Sequence, residues 1–237
     1  MRAQHGIRFI AAILITSNCS DSPTGPDYDP DIQASDFVAG VSNPLFPLVP
    51  GTTSTFLAET AEGEERIVVE VLSDTRVVNG VTATVVRDRV FMNDELAEDT
   101  YDWYAQDSAG NVWYLGEDSK EIENGQVVDT GGSWEWGVDG ALPGIIMWAD
   151  PSAHVGESYR QEFYEDEAED WGRVVAVDRA VSVPFGSFTG CTETEDWNAL
   201  ESGGRERKFY CPQIGLVLET PADGGNERVE LVERTSS

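Results

Sequence analysis

Apolar and polar side chains alternate along most of this chain. Val81, Ala83 and Val85, for example, are separated by single threonines. A period of two indicates a β-strand, whose successive side chains point to opposite faces, whereas a helix repeats its apolar positions every three or four residues. The pattern predicts an all-β fold with little helix and about twelve short antiparallel strands between Phe46 and Val232.

Turn-forming pairs separate these stretches. Asparagine and glycine adopt the positive φ angles that tight hairpin turns require. The predicted turns lie at Asn79-Gly80, Asn93-Asp94, Ala109-Gly110-Asn111, Asn124-Gly125, Gly203-Gly204 and Gly224-Gly225.

Five short segments recur in the same order at an offset of about 105 residues, and self-similarity at a fixed offset is a signature of repeat architectures. The pair furthest along the chain is 104–107 with 110–114, matched by 210–213 with 215–218. This predicts two tandem copies of a curved antiparallel sheet, each resembling a half-barrel or one layer of a sandwich. The copies would span residues 44–118 and 150–233, with an inserted hairpin or connector at 119–149 and a tail at 234–237.

The segment Lys208-Phe209-Tyr210-Cys211-Pro212-Gln213-Ile214-Gly215-Leu216-Val217 resembles the "YYAPGVGLV"-like segment of a family of exported bacterial β-rich lipoproteins. Residues 100–107 resemble a variant of it. The resemblance covers about residues 44–233 and implies a curved antiparallel sheet in each half. It implies no catalytic activity.

The first eighteen residues have the features of an export signal. Arg2 and Arg8 precede a short apolar run at 9–15, and a run of that length suits a signal peptide rather than a membrane span. The run ends shortly before Cys19, which resembles the lipid acceptor of a bacterial lipoprotein; ordinary cleavage that leaves Cys19 as a free thiol is the alternative. Residues 19–43 are rich in Asp and Pro, which predicts a disordered tether. The expected location is the bacterial cell envelope, outside the cytoplasm, with anchoring at the outer membrane or the cell surface.

The chain is strongly acidic, with 15 Lys+Arg against 44 Asp+Glu and a formal net charge of −29. This charge argues against nucleic-acid binding, which needs basic residues to displace phosphate counterions. It also argues against membrane docking through a basic patch, so membrane contact is expected through the lipid anchor alone. A small molecule or a surface protein is the remaining kind of partner.

Two cysteines, Cys191 and Cys211, are predicted to form a disulfide. Exported chains fold in an oxidising compartment. Facing residues of an antiparallel pair have a constant index sum, and this pair centres a hairpin on Glu201, next to the predicted turn at Gly203-Gly204. The first copy is expected to place Val85 and Ala105 at the matching positions.

An acidic run between the predicted strands is the candidate for calcium, whose preferred ligands are carboxylate oxygens. Its candidate ligands are Asp166, Glu167, Glu169 and Asp170. A solvated turn is the alternative, because charge runs usually face water. No other cofactor is expected.

Three tryptophans, Trp134, Trp136 and Trp148, lie in the segment that the second copy lacks. They are the candidates for a ligand groove, since exposed indole faces stack on sugars or bury acyl chains; the alternative is that they fill the core. His154 lies close to Asp150 and Ser152, but no G-x-S-x-G motif is present, and we assign no catalytic residue.

The sequence therefore favours a lipid-anchored extracytoplasmic protein with a non-catalytic binding or structural role. A carrier or sensor of a hydrophobic or carbohydrate ligand is one alternative. An exported hydrolase that uses two carboxylates is the other, and it would need two facing acids whose pKa values are moved apart.

Overall fold

The computed structural model describes residues 28–200 and 204–236, and they form a single antiparallel sheet with very little helix. The strands are β1 (Phe37–Val38), β2 (Thr52–Thr60), β3 (Gly63–Val78), β4 (Val81–Met92), β5 (Glu95–Asp107), β6 (Val112–Asp118), β7 (Glu121–Glu123), β8 (Gln126–Asp129), β9 (Trp134–Glu135), β10 (Leu142–Met147), β11 (Ser158–Arg160), β12 (Glu162–Phe163), β13 (Asp170–Val183), β14 (Gly186–Asn198), β15 (Glu206–Cys211), β16 (Gly215–Pro221) and β17 (Val229–Ser236). Two short 3-10 helices lie at Ala34–Asp36 and Pro151–His154. The predicted all-β class is confirmed.

Tight turns with positive φ angles connect the long strands. Asn79 and Gly80 have φ angles of 43° and 85°, and Asn124 and Gly125 have 51° and 73°. Two consecutive positive φ values match the right-handed twist of the strands that they join. The hairpins β3–β4 and β7–β8 therefore form at predicted turns.

The sheet curves until its two edges meet, which makes it nearly closed and barrel-like. The runs β2–β6 and β13–β17 each connect neighbours in chain order, and β17 pairs with β2 from Leu57↔Glu230 to Thr52↔Ser236. On the other side β10 pairs with both β6 and β12. The two halves therefore share one sheet, and the prediction of two tandem sheets is not supported.

The close contact between β10 and the 158–163 segment depends on a glycine. A β-carbon at Gly144 would stand 2.3 Å from the carbonyl carbon of Gln161, far inside van der Waals contact. Only a residue without a side chain lets β10 approach the 158–163 segment this closely. That segment completes the ring, because β11 pairs with β13 and β12 pairs with β10.

Residues 28–43 lie within the segment expected to be a tether, and they pack against the sheet. The Tyr28 hydroxyl donates a hydrogen bond of 2.8 Å to the Pro143 carbonyl, and the Phe37 ring packs edge-on against Trp113. The predicted signal (1–18), Cys19 and the first part of the tether lie outside the described residues.

The apolar core has two main parts. The larger part surrounds Trp103, Trp113 and Leu115, and the smaller part surrounds Phe56 and Leu231. Within the described ranges, the chain contains no helix that is both long enough and apolar enough to cross a membrane.

Candidate functional site

A shallow groove of about 340 Å³ lies on the outer surface of strands β3–β6. It begins just after an irregularity in β3, where the register with β4 shifts between Val71 and Thr75. Such a bulge bends the strand and re-aims its side chains. The groove is lined by Thr75, Arg76, Val85, Tyr101, Trp103 and Asp118.

Aromatic rings and paired charges share this groove. The Arg76 guanidinium stacks on the Trp103 ring, 3.9 Å from its centroid, and its Nε donates to Glu135 Oε2 at 3.0 Å. At the other end Lys120 Nζ donates to Asp118 Oδ2 at 2.6 Å. The groove thus offers positively charged hydrogen-bond donors and negatively charged acceptors, although the chain as a whole is strongly acidic.

Two of the three tryptophans predicted to line a groove are buried instead. Trp134 and Trp136 are 4% and 8% exposed and belong to the core. Trp134 Nε1 donates to Glu162 Oε2 at 2.7 Å, and Trp136 packs on Phe37. This is the alternative considered above: large rings bury most area when they fill a core.

Trp148 is half-buried and stacks on His154, with 3.9 Å between ring centroids. His154 Nδ1 lies 2.8 Å from Glu157 Oε2, whereas Ser152 Oγ donates to Asp150. His154 and Ser152 therefore have separate acidic partners, which is not the geometry of a catalytic triad.

The inner face of the sheet carries an acidic interior that we define by eight carboxyl groups. These carboxyl groups interact electrostatically with one another. Asp88 of β4 also interacts with Lys208 of β15, so residues from opposite sides of the ring come close together. The eight residues are Asp88, Glu98, Asp102, Glu117, Glu162, Asp196, Glu206 and Glu219.

One tyrosine hydroxyl connects two of these acids. The Tyr114 hydroxyl lies 2.6 Å from Asp102 Oδ1 and 3.1 Å from Glu117 Oε2. A phenol has one proton to donate, so the two carboxyl groups compete for it, and a second full hydrogen bond would need one carboxyl to be protonated. Burial raises the pKa of Asp102 to about 6 and raises that of Glu117 well above its ordinary value.

Burial also raises the pKa of Glu98 to about 7 and that of Glu206 to about 8. Lys208 is the basic partner in this region: its Nζ lies 3.6 Å from Asp196 Oδ2. Burial alone would lower the pKa of Lys208, but the carboxylates of Glu219 and Asp196 outweigh it and raise that pKa. The interior therefore holds an excess of carboxyl groups around one lysine, and burial favours the protonated forms of Glu98 and Glu206.

An aromatic cluster closes one end of this interior. The Phe46 ring lies 5.2 Å from the Tyr104 ring and 6.1 Å from the Tyr210 ring, and Tyr104 stacks on Tyr114 at 4.8 Å. Side chains fill this end of the ring.

Cys191 and Cys211, predicted as a pair, are joined in the structure by a disulfide with a sulfur–sulfur distance of 2.01 Å. The predicted register is confirmed, because the neighbouring pair Thr192↔Tyr210 has the same index sum as Cys191 and Cys211. The expected counterpart pair is wrong, however. Val85 faces Trp103, and Ala105 faces Trp113, because β4 and β5 pair two residues out of the assumed register.

The residues proposed as calcium ligands do not gather around one point. The Glu169 carboxylate is bound to Arg160 at 3.1 Å and also accepts from the Asp166 backbone amide. Among the described residues, no group of three or more His, Cys, Asp or Glu side chains could hold a metal ion. Asp166, Glu167, Glu169 and Asp170 therefore gain no support as a calcium site.

The sequence reasoning missed both the groove and the acidic interior. A signal for the interior was available at Asp102, which stands between Tyr101 and Trp103 in β5 and pairs with Val86 of β4. A strand with both faces covered shows no polar face, so alternation alone does not distinguish inside from outside.

No protein-family model and no curated protein matches this sequence. Among solved structures, a candidate exported protein with a YmcC-like fold from Bacteroides fragilis is 16% identical, with a TM-score of 0.47. A candidate lipoprotein from Parabacteroides distasonis is 9% identical, with a TM-score of 0.42. Each comparison covers 81% of this chain and 98% of the other. At these TM-scores, neither likeness assigns a family or a function to the chain.

Proposed function

We propose that this chain is a lipid-anchored extracytoplasmic binding protein that captures a neutral carbohydrate in the outer groove. The observation that carries the proposal is the half-buried Tyr101 ring in the wall of the groove, beside the Arg76 guanidinium that covers the buried Trp103 ring. Aromatic faces stack on the apolar faces of sugar rings, and the paired charges at both ends supply donors and acceptors for hydroxyl groups.

The balance of charge selects the class of ligand. Arg76 is matched by Glu135 and Lys120 by Asp118, so the groove has no excess charge to attract an ion. A polyhydroxylated ligand uses donors and acceptors equally. The volume of about 340 Å³ is in the lower part of the range of small-molecule sites and suits one or two sugar rings.

Two independent features support export. The leader and Cys19 resemble a lipoprotein signal, and the Cys191–Cys211 disulfide suits an oxidising compartment. Metabolic labelling with a palmitate analogue tests the anchor. Label should enter the wild-type chain and not the Cys19→Ala variant, and equal labelling of both would exclude Cys19 as the acceptor.

A non-catalytic role is supported by the acids themselves. A carboxylate-dependent hydrolase needs two facing acids with pKa values moved in opposite directions. Asp102 and Glu117 face each other through Tyr114, but burial moves both pKa values upward, and neither acid lines the groove.

The groove is tested by screening the purified chain against an array of neutral and acidic oligosaccharides. We expect neutral glycans to bind, and expect Tyr101→Ala to weaken that binding about fivefold or more, since a stacked aromatic contact contributes about 1 kcal/mol or more. Phe185→Ala removes an exposed ring at the β13–β14 turn and serves as the control. Absence of any glycan binding, or equal binding by the Tyr101→Ala variant, would refute the proposal.

A further inference from the structure

Four arginines gather on the outer face of β13–β15, and we call them the arginine face: Arg173, Arg179, Arg205 and Arg207. They converge on two glutamates of β14. Glu195 accepts from Arg173 at 2.6 Å, from Arg205 at 2.7 Å and from Arg207 at 2.8 Å. Glu193 accepts from Arg179 at 2.7 Å and from Arg207 at 3.0 Å.

This cluster carries excess positive charge on a strongly acidic chain. Four guanidinium groups share two carboxylates, so the local charge is 4 − 2 = +2. The carboxylates are buried, with side chains 5% and 9% exposed, whereas the side chains of Arg179 and Arg205 are 50% and 47% exposed. Each guanidinium has five N–H donors and uses one or two of them here, so donors remain on the outside.

A series of stacked groups links Tyr28, the first described residue, to this face. The Tyr28 ring packs on Phe163, whose ring lies under the Arg160 guanidinium. Arg160 in turn lies over Trp171, and Trp171 stacks on Trp197 at 6.1 Å. Arg205 covers the far side of Trp197 at 4.4 Å. A continuous ladder of rings and guanidinium groups therefore runs from Tyr28 to the arginine face.

The anchor point is close to Tyr28 along the chain. Cys19 precedes Tyr28 by nine residues (28 − 19 = 9). Even fully extended, such a segment spans only about 30 Å. A lipid on Cys19 would hold Tyr28 within that distance of the bilayer surface, on the side of the molecule from which the ladder leads to the arginine face.

We propose that the arginine face is the membrane-facing surface of the anchored protein and binds the anionic headgroups of the bilayer that holds the lipid. The inference rests on the proposed lipid anchor at Cys19 and does not depend on the groove. The overall charge of −29 does not oppose it at short range, because salt screens charges beyond about 8 Å. Basic residues close to an anionic surface each contribute about fivefold to binding. The outer groove lies on other strands, β3–β6, and stays free for its ligand.

The test is arginine footprinting of the lipidated full chain, reconstituted into vesicles and treated with a dicarbonyl reagent. Mass spectrometry then reports the modification of each arginine. In vesicles that contain phosphatidylglycerol, Arg179 and Arg205 should be modified several-fold more slowly than in pure phosphatidylcholine vesicles. Arg66 and Arg228, whose side chains are 31% and 44% exposed and pair with acids away from β13–β15, are the internal controls and should react equally in both.

A double variant distinguishes headgroup binding by these arginines from simple closeness to the membrane. In the lipidated double variant Arg179→Gln/Arg205→Gln, the phosphatidylglycerol-dependent protection of Arg173 should disappear, while an unchanged melting temperature shows that the fold is intact. Equal modification of Arg179 and Arg205 in both vesicle types would overturn the proposal. So would equal protection by dextran sulfate in pure phosphatidylcholine vesicles, which would assign the face to a soluble polyanion. Glycan binding is measured on vesicle-free protein, so the groove and the arginine face succeed or fail separately.

Discussion

The ring of Tyr159 lies directly against the backbone of Gly172, its partner across the β11–β13 pair. A β-carbon at position 172 would stand 2.7 Å from Tyr159 Cζ. Because β11 belongs to the segment that completes the ring of strands, this contact stabilises the closure of the ring.

Gly172→Ala should therefore destabilise the fold by about 2 kcal/mol, since an added methyl group has no space and the strand must move. Urea denaturation measures the change. Gly186→Ala is the matched control, because its β-carbon would meet only the edge of the Phe188 ring, at 3.3 Å or more. The double variant Tyr159→Ala/Gly172→Ala should lose less than the sum of the single changes, and strict additivity would show that the two residues do not interact.

The stability of the fold should fall as the pH rises from about 5 to about 8. Burial raises the pKa of Asp102 to about 6, of Glu98 to about 7 and of Glu206 to about 8. In the unfolded chain these carboxyls titrate near 4, so the folded state binds more protons in this window. Each group then costs roughly 1 kcal/mol per pH unit until the pH passes its folded pKa.

Glu206→Gln should flatten that pH dependence, because the amide cannot ionise. We expect the variant to gain stability relative to the wild type as the pH increases toward 8. Glu123→Gln, an exposed position in the β7–β8 hairpin, should leave the pH profile unchanged. Denaturation curves across the pH series measure both, and a profile that rises with pH in the wild type would contradict the acidic interior.

The Tyr114 hydroxyl should contribute to stability through its two carboxyl partners. Tyr114→Phe leaves Asp102 and Glu117 without the shared hydroxyl, and a buried polar group that loses its partner costs about 2 kcal/mol. Tyr101→Phe, which removes a hydroxyl at the outer groove, is the control. A loss below about 0.5 kcal/mol for Tyr114→Phe would show that the two acids find other partners.

The disulfide should stabilise the fold by about 3 kcal/mol, because it closes a loop with a sequence separation of 20 in the unfolded chain. Thermal unfolding of the Cys191→Ala/Cys211→Ala variant measures this, with Cys19→Ser in both chains so that no other thiol reacts. Alkylation of the unfolded, non-reduced protein should modify neither Cys191 nor Cys211. Two reactive thiols at these positions would contradict the pairing.

Local features of the fold could be read from the sequence, and long-range ones could not. Alternation identified the strands, and the spacing of Cys191 and Cys211 gave the register of β14 and β15 because a nearby turn fixes both. The pairing of β17 with β2 has no such local signal. The repeated segments therefore suggested two separate sheets where the strands form one.

The candidate sites escaped prediction for related reasons. Arg76 and Trp103 are far apart in sequence and meet only because β3 is irregular between Val71 and Thr75. The arginine face could not be predicted from the composition, because a net charge of −29 does not show how the basic residues are distributed. Conversely, Trp134 and Trp136 were conspicuous in sequence but pack in the core.

Because β17 pairs with β2, the sheet can close only after β17 has been synthesised. Arg234 donates to Ser54 across 180 residues of sequence, at 3.2 Å. At a synthesis rate of 5–20 residues per second, the free edge of β2 waits on the order of ten seconds or more for its partner. Until then this edge is open to pairing with other unfolded chains. A chaperone that shields β2 until β17 emerges would therefore raise the yield of folded protein more than one that acts on β17.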